Sequence, residues 1–343
     1  MRTWILALGL SLIAALGISG CGKSESPSTT GGGPKAKRIA VIPKGTTHEF
    51  WKSIHAGANK AADEQGKAGH PVEILWKGPL KEGDSTAQVD VVRNMISLGV
   101  DGIVLAPNDK KNLAKVIGEC DARHIPVVII DSDVESDAYK SFVATDNEKG
   151  GYLGGQELAK SIGSKGKVIM LRYMEGSAST EGREAGFLKA MKENPGIQVV
   201  SDRQFGGDTA DSAQRAADNL LAGYKNADGS LSIDGIFTPN ESTTFGMLRA
   251  LETIHAAGKV KFVGFDSSEK LMDGLKSGEI QGLVLQNPFR MGYLGVNTVM
   301  DVLNGKTVEK RIDTGVGVAT KANLDAPELQ ETLHPDLAKW LKE

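Results

Sequence analysis

Aromatic residues make up only 5% of this 343-residue sequence, and cysteine occurs twice. Two cysteines cannot build a disulfide framework, so stability must come from packed apolar layers. A basic surplus is also missing. Lys and Arg number 40 against 43 Asp and Glu, a net charge of −3, which leaves nothing to neutralise a nucleic-acid backbone. The recurrent signatures of catalysis are absent too. No GxGxxG follows a strand pattern, and there is no GxxxxGK[ST] loop and no GxSxG elbow. The histidines stand at 48, 55, 70, 124, 255 and 334, never four apart, so no helical metal pair forms. His48 and His55, seven apart, read as one surface face of a helix. These absences argue against an enzyme, and no cofactor or metal is expected.

What is present is glycine, 42 residues of it, in a chain 40% apolar and 24% charged. That is globular composition with many tight turns over aliphatic cores. At ~150 residues per domain the length suggests two domains. The first stretch stands apart. Arg2 precedes an apolar run from Trp4 to Ile18, followed by Ser19-Gly20-Cys21. The run is short for a membrane span and reads as a secretory signal over residues 1–20. Residues 22–36, rich in Gly, Ser, Thr and Pro without an aliphatic anchor, read as a flexible tether. Cys120 is expected to be a buried, inert core thiol.

From Lys37 onward, short β-branched runs alternate with helical patterns. Strands are expected at Arg38–Ile42, Val72–Leu75, Gly102–Leu105, Val127–Ile130 and Ser141–Ala144. More follow at Lys167–Leu171, Gln198–Val200, Gly235–Thr238, Lys261–Gly264 and Gly282–Leu285. Their nearly continuous apolar character means burial on both faces, hence parallel sheets covered by helices. Ten strands divide more naturally into two sheets than one. Asp101–Asn108 (DGIVLAPN) echoes Asp234–Asn240 (DGIFTPN), each a buried strand closing on Pro-Asn. Those carboxyl ends are where ligands bind in open α/β sheets.

Several chemistry-bearing residues fall on these ends. After the first strand come Lys44, His48, Phe50 and Trp51. Thr46 and Glu49 have capping-box spacing, which places the two aromatics in a first helical turn facing the edge. Aromatic faces stack on the C–H faces of sugar rings, or fill a core gap. Later strand ends present Asp131 and Asp133, Asn240 and Glu241, Asp266, and Gln286 with Asn287. Each alone is consistent with an N-cap; together they suit a ligand rich in hydroxyls. Arg183, near a helix start, offers a planar fork to a ligand oxygen or a salt bridge to an aspartate.

In the order and spacing of these pieces, the chain from Lys37 resembles the periplasmic sugar-binding proteins of ABC transporters, close to the ribose-binding type. The pieces are Phe50-Trp51, Asp131 after IPVVII, Ala144–Asn147 before Gly150-Gly151, Arg183–Phe187, Asn240 in TPNES, Val263–Asp266, and Gln286 before Asn287-Pro288. The resemblance implies a type I periplasmic binding fold: two Rossmann-like three-layer α/β/α lobes joined by three hinge crossings. The crossings fall near Thr145, near Gln286-Asn287 and near Arg311–Thr314. The first lobe is then 37–145 plus 287–312 and the second 146–286 plus 313–343. It further implies a monosaccharide or similar polyol bound in the cleft by Phe50, Trp51, Asp131, Arg183, Asn240, Asp266 and Gln286. Lys44 matches a lysine of the related binders of a furanose autoinducer, which makes sensing of a furanose signal or cyclic polyol the alternative to uptake. His48, Asp133 and Glu181 are further candidates. His48 stands where ribose binders have an asparagine, Ser132 where they have an arginine, and Glu181 at the first place of their double-arginine motif, so ribose itself is not indicated. The Ile18–Cys21 segment resembles a bacterial lipobox, implying cleavage before Cys21 and a lipid on its sulfur. The expected protein is thus an exported, lipid-anchored monomer that partners an ABC transporter permease.

Overall fold

In the computed structural model, residues 35–341 are described. The expected signal at 1–20, Cys21 and the expected tether as far as residue 34 lie outside the described residues. The chain alternates strand and helix: β1 (Lys37–Ile42), α1 (Glu49–Lys67), β2 (Val72–Trp76), α2 (Ser85–Leu98), β3 (Gly102–Leu105), α3 (Ala114–Asp121), β4 (Val127–Ile130) and β5 (Ser141–Ala144). It continues with α4 (Asn147–Ser161), β6 (Gly166–Arg172), α5 (Ala178–Lys192), β7 (Ile197–Phe205), α6 (Ala210–Ala222), β8 (Gly235–Phe237), α7 (Glu241–Thr253), β9 (Lys261–Phe265), α8 (Glu269–Ser277) and β10 (Gly282–Gln286). Last come α9 (Pro288–Leu303), β11 (Arg311–Asp313), β12 (Val316–Ala319), α10 (Pro327–Leu333) and α11 (Leu337–Leu341).

The strands form two six-stranded sheets, ordered β11-β5-β4-β3-β1-β2 and β12-β10-β9-β8-β6-β7. All pairs are parallel except β10 with β12. The expected apolar runs fill the sheet centres: every residue of β3, β4, β8 and β10 is buried. Only strands covered on both faces tolerate such runs. Each sheet separates two apolar clusters. Ile103 and Ile129 face the α2–α3 side and Val104 and Val128 the α1–α9 side. In the second sheet Ile236 faces the α7–α8 side and Phe237 the α4–α5 side. Both lobes are therefore three layers, α/β/α.

The two sheets have the same strand order, so their positions correspond. β3 matches β8, and the Pro-Asn echo of the sequence falls at equivalent strand ends. β4 matches β9, and each ends in an aspartate with left-handed backbone: Asp131 at φ 61° and Asp266 at φ 67°. A non-glycine residue there carries a local cost on the order of 1 kcal/mol, held by the surrounding structure.

Glycine lets the helices close in. A Cβ on Gly151 of α4 would lie 1.8 Å from the Arg183 carbonyl oxygen of α5, and one on Gly292 of α9 would lie 2.0 Å from the Ile54 carbonyl of α1. The chain passes between sheets after β5, after β10 and between β11 and β12. The first and third passages are tied together: Arg311 donates to the Thr145 carbonyl at 2.9 Å, and Thr314 N–H to the Ala144 carbonyl. The short edge strands β11 and β12 had no sequence signal strong enough to count. The expected assignment of 313–343 wholly to the second lobe also needs correction, because α11 returns to the first lobe, where Asn59 of α1 donates to the Trp340 carbonyl.

Candidate functional site

The carboxyl ends of both sheets face one cleft. From the first lobe it receives Lys44, His48, Phe50 and Trp51 after β1, Glu82 after β2 and Asp131 after β4. From the second it receives Tyr173, Ser179, Thr180 and Arg183 after β6, Asn240 and Glu241 after β8, Asp266 after β9 and Gln286 at the end of β10. The space left between them is about 30 Å³, since the side chains largely satisfy one another.

Two charged clusters fill it. In one, Asp131 accepts from Lys44 at 2.9 Å and faces Arg183 Nη2 at 3.7 Å. Lys44 also reaches the other lobe, donating to Ser179 Oγ at 3.0 Å. Arg183 donates Nε to Asn147 at 2.8 Å and Nη1 to the Pro239 carbonyl at 3.0 Å, with its guanidinium 4.4 Å above the Phe265 ring. Its Nη2, like Oε1 of Gln286, is buried without a hydrogen-bond partner among the described residues. A buried polar atom left unpaired costs on the order of 1–3 kcal/mol, so such atoms mark where a polar guest would be stabilised.

In the other cluster, Glu82 accepts from Trp51 Nε1 and from the Tyr173 hydroxyl of the opposite lobe, and pairs with His48 Nδ1 at 2.6 Å. Burial would raise the Glu82 pKa, but the His48 charge and hydrogen bond, then Tyr173 and Lys44, overcome it and hold the carboxyl at about 2. For His48, burial pulls down and Glu82 pushes up harder, giving about 9. Glu241, which accepts from the Phe50 N–H across the cleft, is raised to about 7 by burial, with Asp266 adding to it. Asp266 is also raised, first by burial, while Arg183 opposes.

All seven principal candidates from the sequence line this cavity, as do Lys44 and His48. Asp133 and Glu181 do not. Asp133 is spent on its own loop, accepting from Val134 N and Tyr139 Oη. Glu181 is drawn outward by Lys110 of the other lobe, at 2.5 Å, and by Gly176 N–H. The expected Thr46–Glu49 capping box is not formed. His48 is the N-cap of α1 and makes no side-chain cap bond, because Glu82 takes its imidazole. His48 is therefore a cavity residue rather than a surface one, whereas His55 stacks on Trp76 at 4.4 Å. Phe50 and Trp51, 5.0 Å apart edge to face, belong both to the cavity wall and to the α1–α9 core. Asn240 caps α7 in a capping box with Thr243, so its side-chain oxygen is already engaged.

The sequence reading missed Glu82 and Tyr173 altogether. Glu82 sits in the loop after β2, another carboxyl strand end, and that position was the available signal. Tyr173 follows β6 directly and offered none beyond being a scarce aromatic. Cys120 is fully buried in the first-lobe core, its thiol pushed up to about 12 by burial.

Residues 39–307 match the family model described as periplasmic binding protein domain. The chain is 27% identical over 318 residues to the ribose import binding protein of Bacillus subtilis, covering 92% of this chain and 97% of that one. It is 25% identical to the xylitol-binding protein of Mycolicibacterium smegmatis, over 93% of this chain and 86% of that one. Among solved structures, an ABC transporter solute binding protein from Agrobacterium vitis with bound D-fucose matches at TM-score 0.81 and 36% identity, over 87% of this chain and 100% of that one. A carbohydrate transporter solute binding protein from Agrobacterium radiobacter, in complex with D-arabinose, matches at TM-score 0.81 and 33% identity, over 87% of this chain and 99% of that one. All four are binding proteins by name. With its twin sheets, interlobe cleft and matched length, the chain belongs to the periplasmic binding protein domain family.

Proposed function

We propose that this protein is the solute-binding component of an ABC importer, taking a monosaccharide or a similar polyol in the interlobe cleft. The observation that carries the reading is the pair of buried polar atoms without a hydrogen-bond partner among the described residues, Arg183 Nη2 and Gln286 Oε1, on the wall of a cavity that also holds Asp131, Asp266, Phe50 and Trp51. A guanidinium fork, two carboxylates and an amide oxygen match the donors and acceptors of adjacent hydroxyls. The aromatic pair suits the C–H faces of a ring. The named ligands of the relatives, a pentose, a hexose and a polyol, support the same class.

Binding from both sheets implies hinge closure. Ligand groups complete contacts to both lobes only when the lobes meet, so ligand shifts the population toward the closed form, which the permease then recognises. To enter, the guest must replace contacts that the cleft now makes with itself, the Lys44–Asp131 and Arg183–Asp131 pairs above all. Asp133 and Glu181 have no place in this scheme, being engaged elsewhere. Export and anchoring through a lipid on Cys21 belong to the same proposal and rest on the lipobox-like Ile18–Cys21 segment.

A thermal-shift panel of pentoses, hexoses and acyclic and cyclic polyols tests the reading. A guest at a hundred times its Kd stabilises the folded state by about 2.7 kcal/mol, a readily measured rise in Tm. If no compound in the panel raises Tm, the sugar assignment fails.

A further inference from the structure

The carboxyl-terminal segment bridges the lobes a fourth time, at a place the three hinge passages do not need. Its two ends are held very differently. On the second lobe, Leu329 is buried, and Leu324, Ala326 and Leu333 pack against the same core as Leu248, Leu271 and Leu275. On the first lobe, α11 lies along α1 with Leu337, Trp340 and Leu341 only half-buried and no residue fully buried, and its one side-chain hydrogen bond to that lobe among the described residues runs from Asn59 Nδ2 to the Trp340 carbonyl at 2.9 Å. Between them lie His334, Pro335 and Asp336.

This crossing roofs an outer chamber of about 380 Å³ between α1 and α8. Ser53 stands on one wall, Met272 on the other and Leu333 overhead. The chamber shares Phe50, Asp266 and Gln286 with the binding cavity, so it adjoins the site directly.

We propose that residues 327–341 form a releasable strap, which seats on α1 when the lobes are closed, favours closure and slows passage of solute through this side of the cleft. The geometry decides which end yields. Three linking residues reach about 11 Å at full extension, and an opening rotation moves α1 away from α8. The strap must then leave one lobe, and the end whose apolar side chains are only half-buried parts before the end anchored by buried Leu329. α10 stays with the second lobe. The inference rests on the hinge-closure reading but not on the identity of the ligand.

Distance measurement between spin labels in the absence of any sugar tests it. Labels on Leu80→Cys, 69% exposed after β2, and Arg203→Cys, 97% exposed on β7, sit on the sheet edges farthest from the hinge passages. Cys21→Ser removes the lipidation site, and buried Cys120 takes no label. Ending the chain after His334 should raise the ratio of open to closed molecules roughly fivefold, the worth of about one hydrogen bond, and Asn59→Ala should move it in the same direction. Both distance distributions superposing on that of the parent overturns the strap. Should the truncated chain lose its cooperative melt, the Asn59→Ala distribution alone decides, for or against. A strap effect with no sugar-induced Tm shift leaves this inference standing and the sugar reading refuted.

Discussion

Replacing His48 with glutamine should flatten the dependence of stability on alkaline pH. In the folded chain the imidazole pKa lies at about 9, against 6.5 for the free group. Burial works against this value; the Glu82 carboxylate, then Glu241 and Asp266, more than compensate. A group whose pKa is raised by folding contributes stability that is complete below its unfolded pKa and is lost as pH climbs through the folded one. The interval from 6.5 to about 9 corresponds to about 3 kcal/mol, at about 1.4 kcal/mol per pH unit. For a chain of this size that is roughly 6 °C in Tm. Glu82 does not confuse the window, because its carboxyl is held at about 2 and its share is lost only as pH falls toward that value. Glu241, at about 7, does titrate inside the window. Glu241 is present in parent and variant alike, so its own titration largely cancels in the difference between the two profiles. Thermal melts at intervals from pH 6.5 to 9.5 are the assay. The parent should lose roughly 6 °C more than the His48→Gln chain across the series. Parallel profiles would show that the His48–Glu82 pair is not a charged pair in the folded protein, and the electrostatic account of the cleft would fall with it.

Arg183→Lys keeps the charge but loses the fork, and should weaken binding of any sugar found by the panel about tenfold or more in calorimetric titration; a change below twofold would remove Arg183 from the site. Gly151→Ala should destabilise by more than about 3 kcal/mol in denaturant melts, since its methyl would meet the Arg183 carbonyl at 1.8 Å. A native-like midpoint would mean that α4 and α5 have slack. Cys21→Ser should move the protein from the membrane fraction to the soluble one on fractionation of cells, and continued sedimentation with membranes would contradict lipid anchoring.

Much of the fold was legible because buried parallel strands write themselves as uninterrupted β-branched runs, and all ten expected strands, eight of them interior and β2 and β7 at the edges, lie in the two sheets at or near the expected positions. β11 and β12 escaped notice because edge strands of three and four residues carry little periodicity. The site was legible in part for a topological reason: parallel α/β sheets put their carboxyl ends on one side, so polar residues just past a strand converge. That rule found Asp131, Asn240, Asp266 and Gln286. It did not find Glu82, which stands six residues beyond β2, because a loop of that length does not reveal where its residues return.

By itself, then, the sequence determined the two parallel α/β lobes, the strand ends that supply the cleft and the residue types gathered there, since all of these follow from local pattern and chain order. Which groups hold one another was decided only by tertiary structure. His48 reads as a surface histidine until Glu82 reaches it. Glu181 reads as a ligand neighbour until Lys110, from the other lobe, draws it aside. Arg183 spends two of its nitrogens on hydrogen bonds to Asn147 and Pro239 and turns the third to Asp131 at 3.7 Å without a hydrogen bond. The reason is range: hydrogen bonds and buried charges act over about 3 Å between residues tens to hundreds of positions apart, and no spacing along the chain encodes that distance.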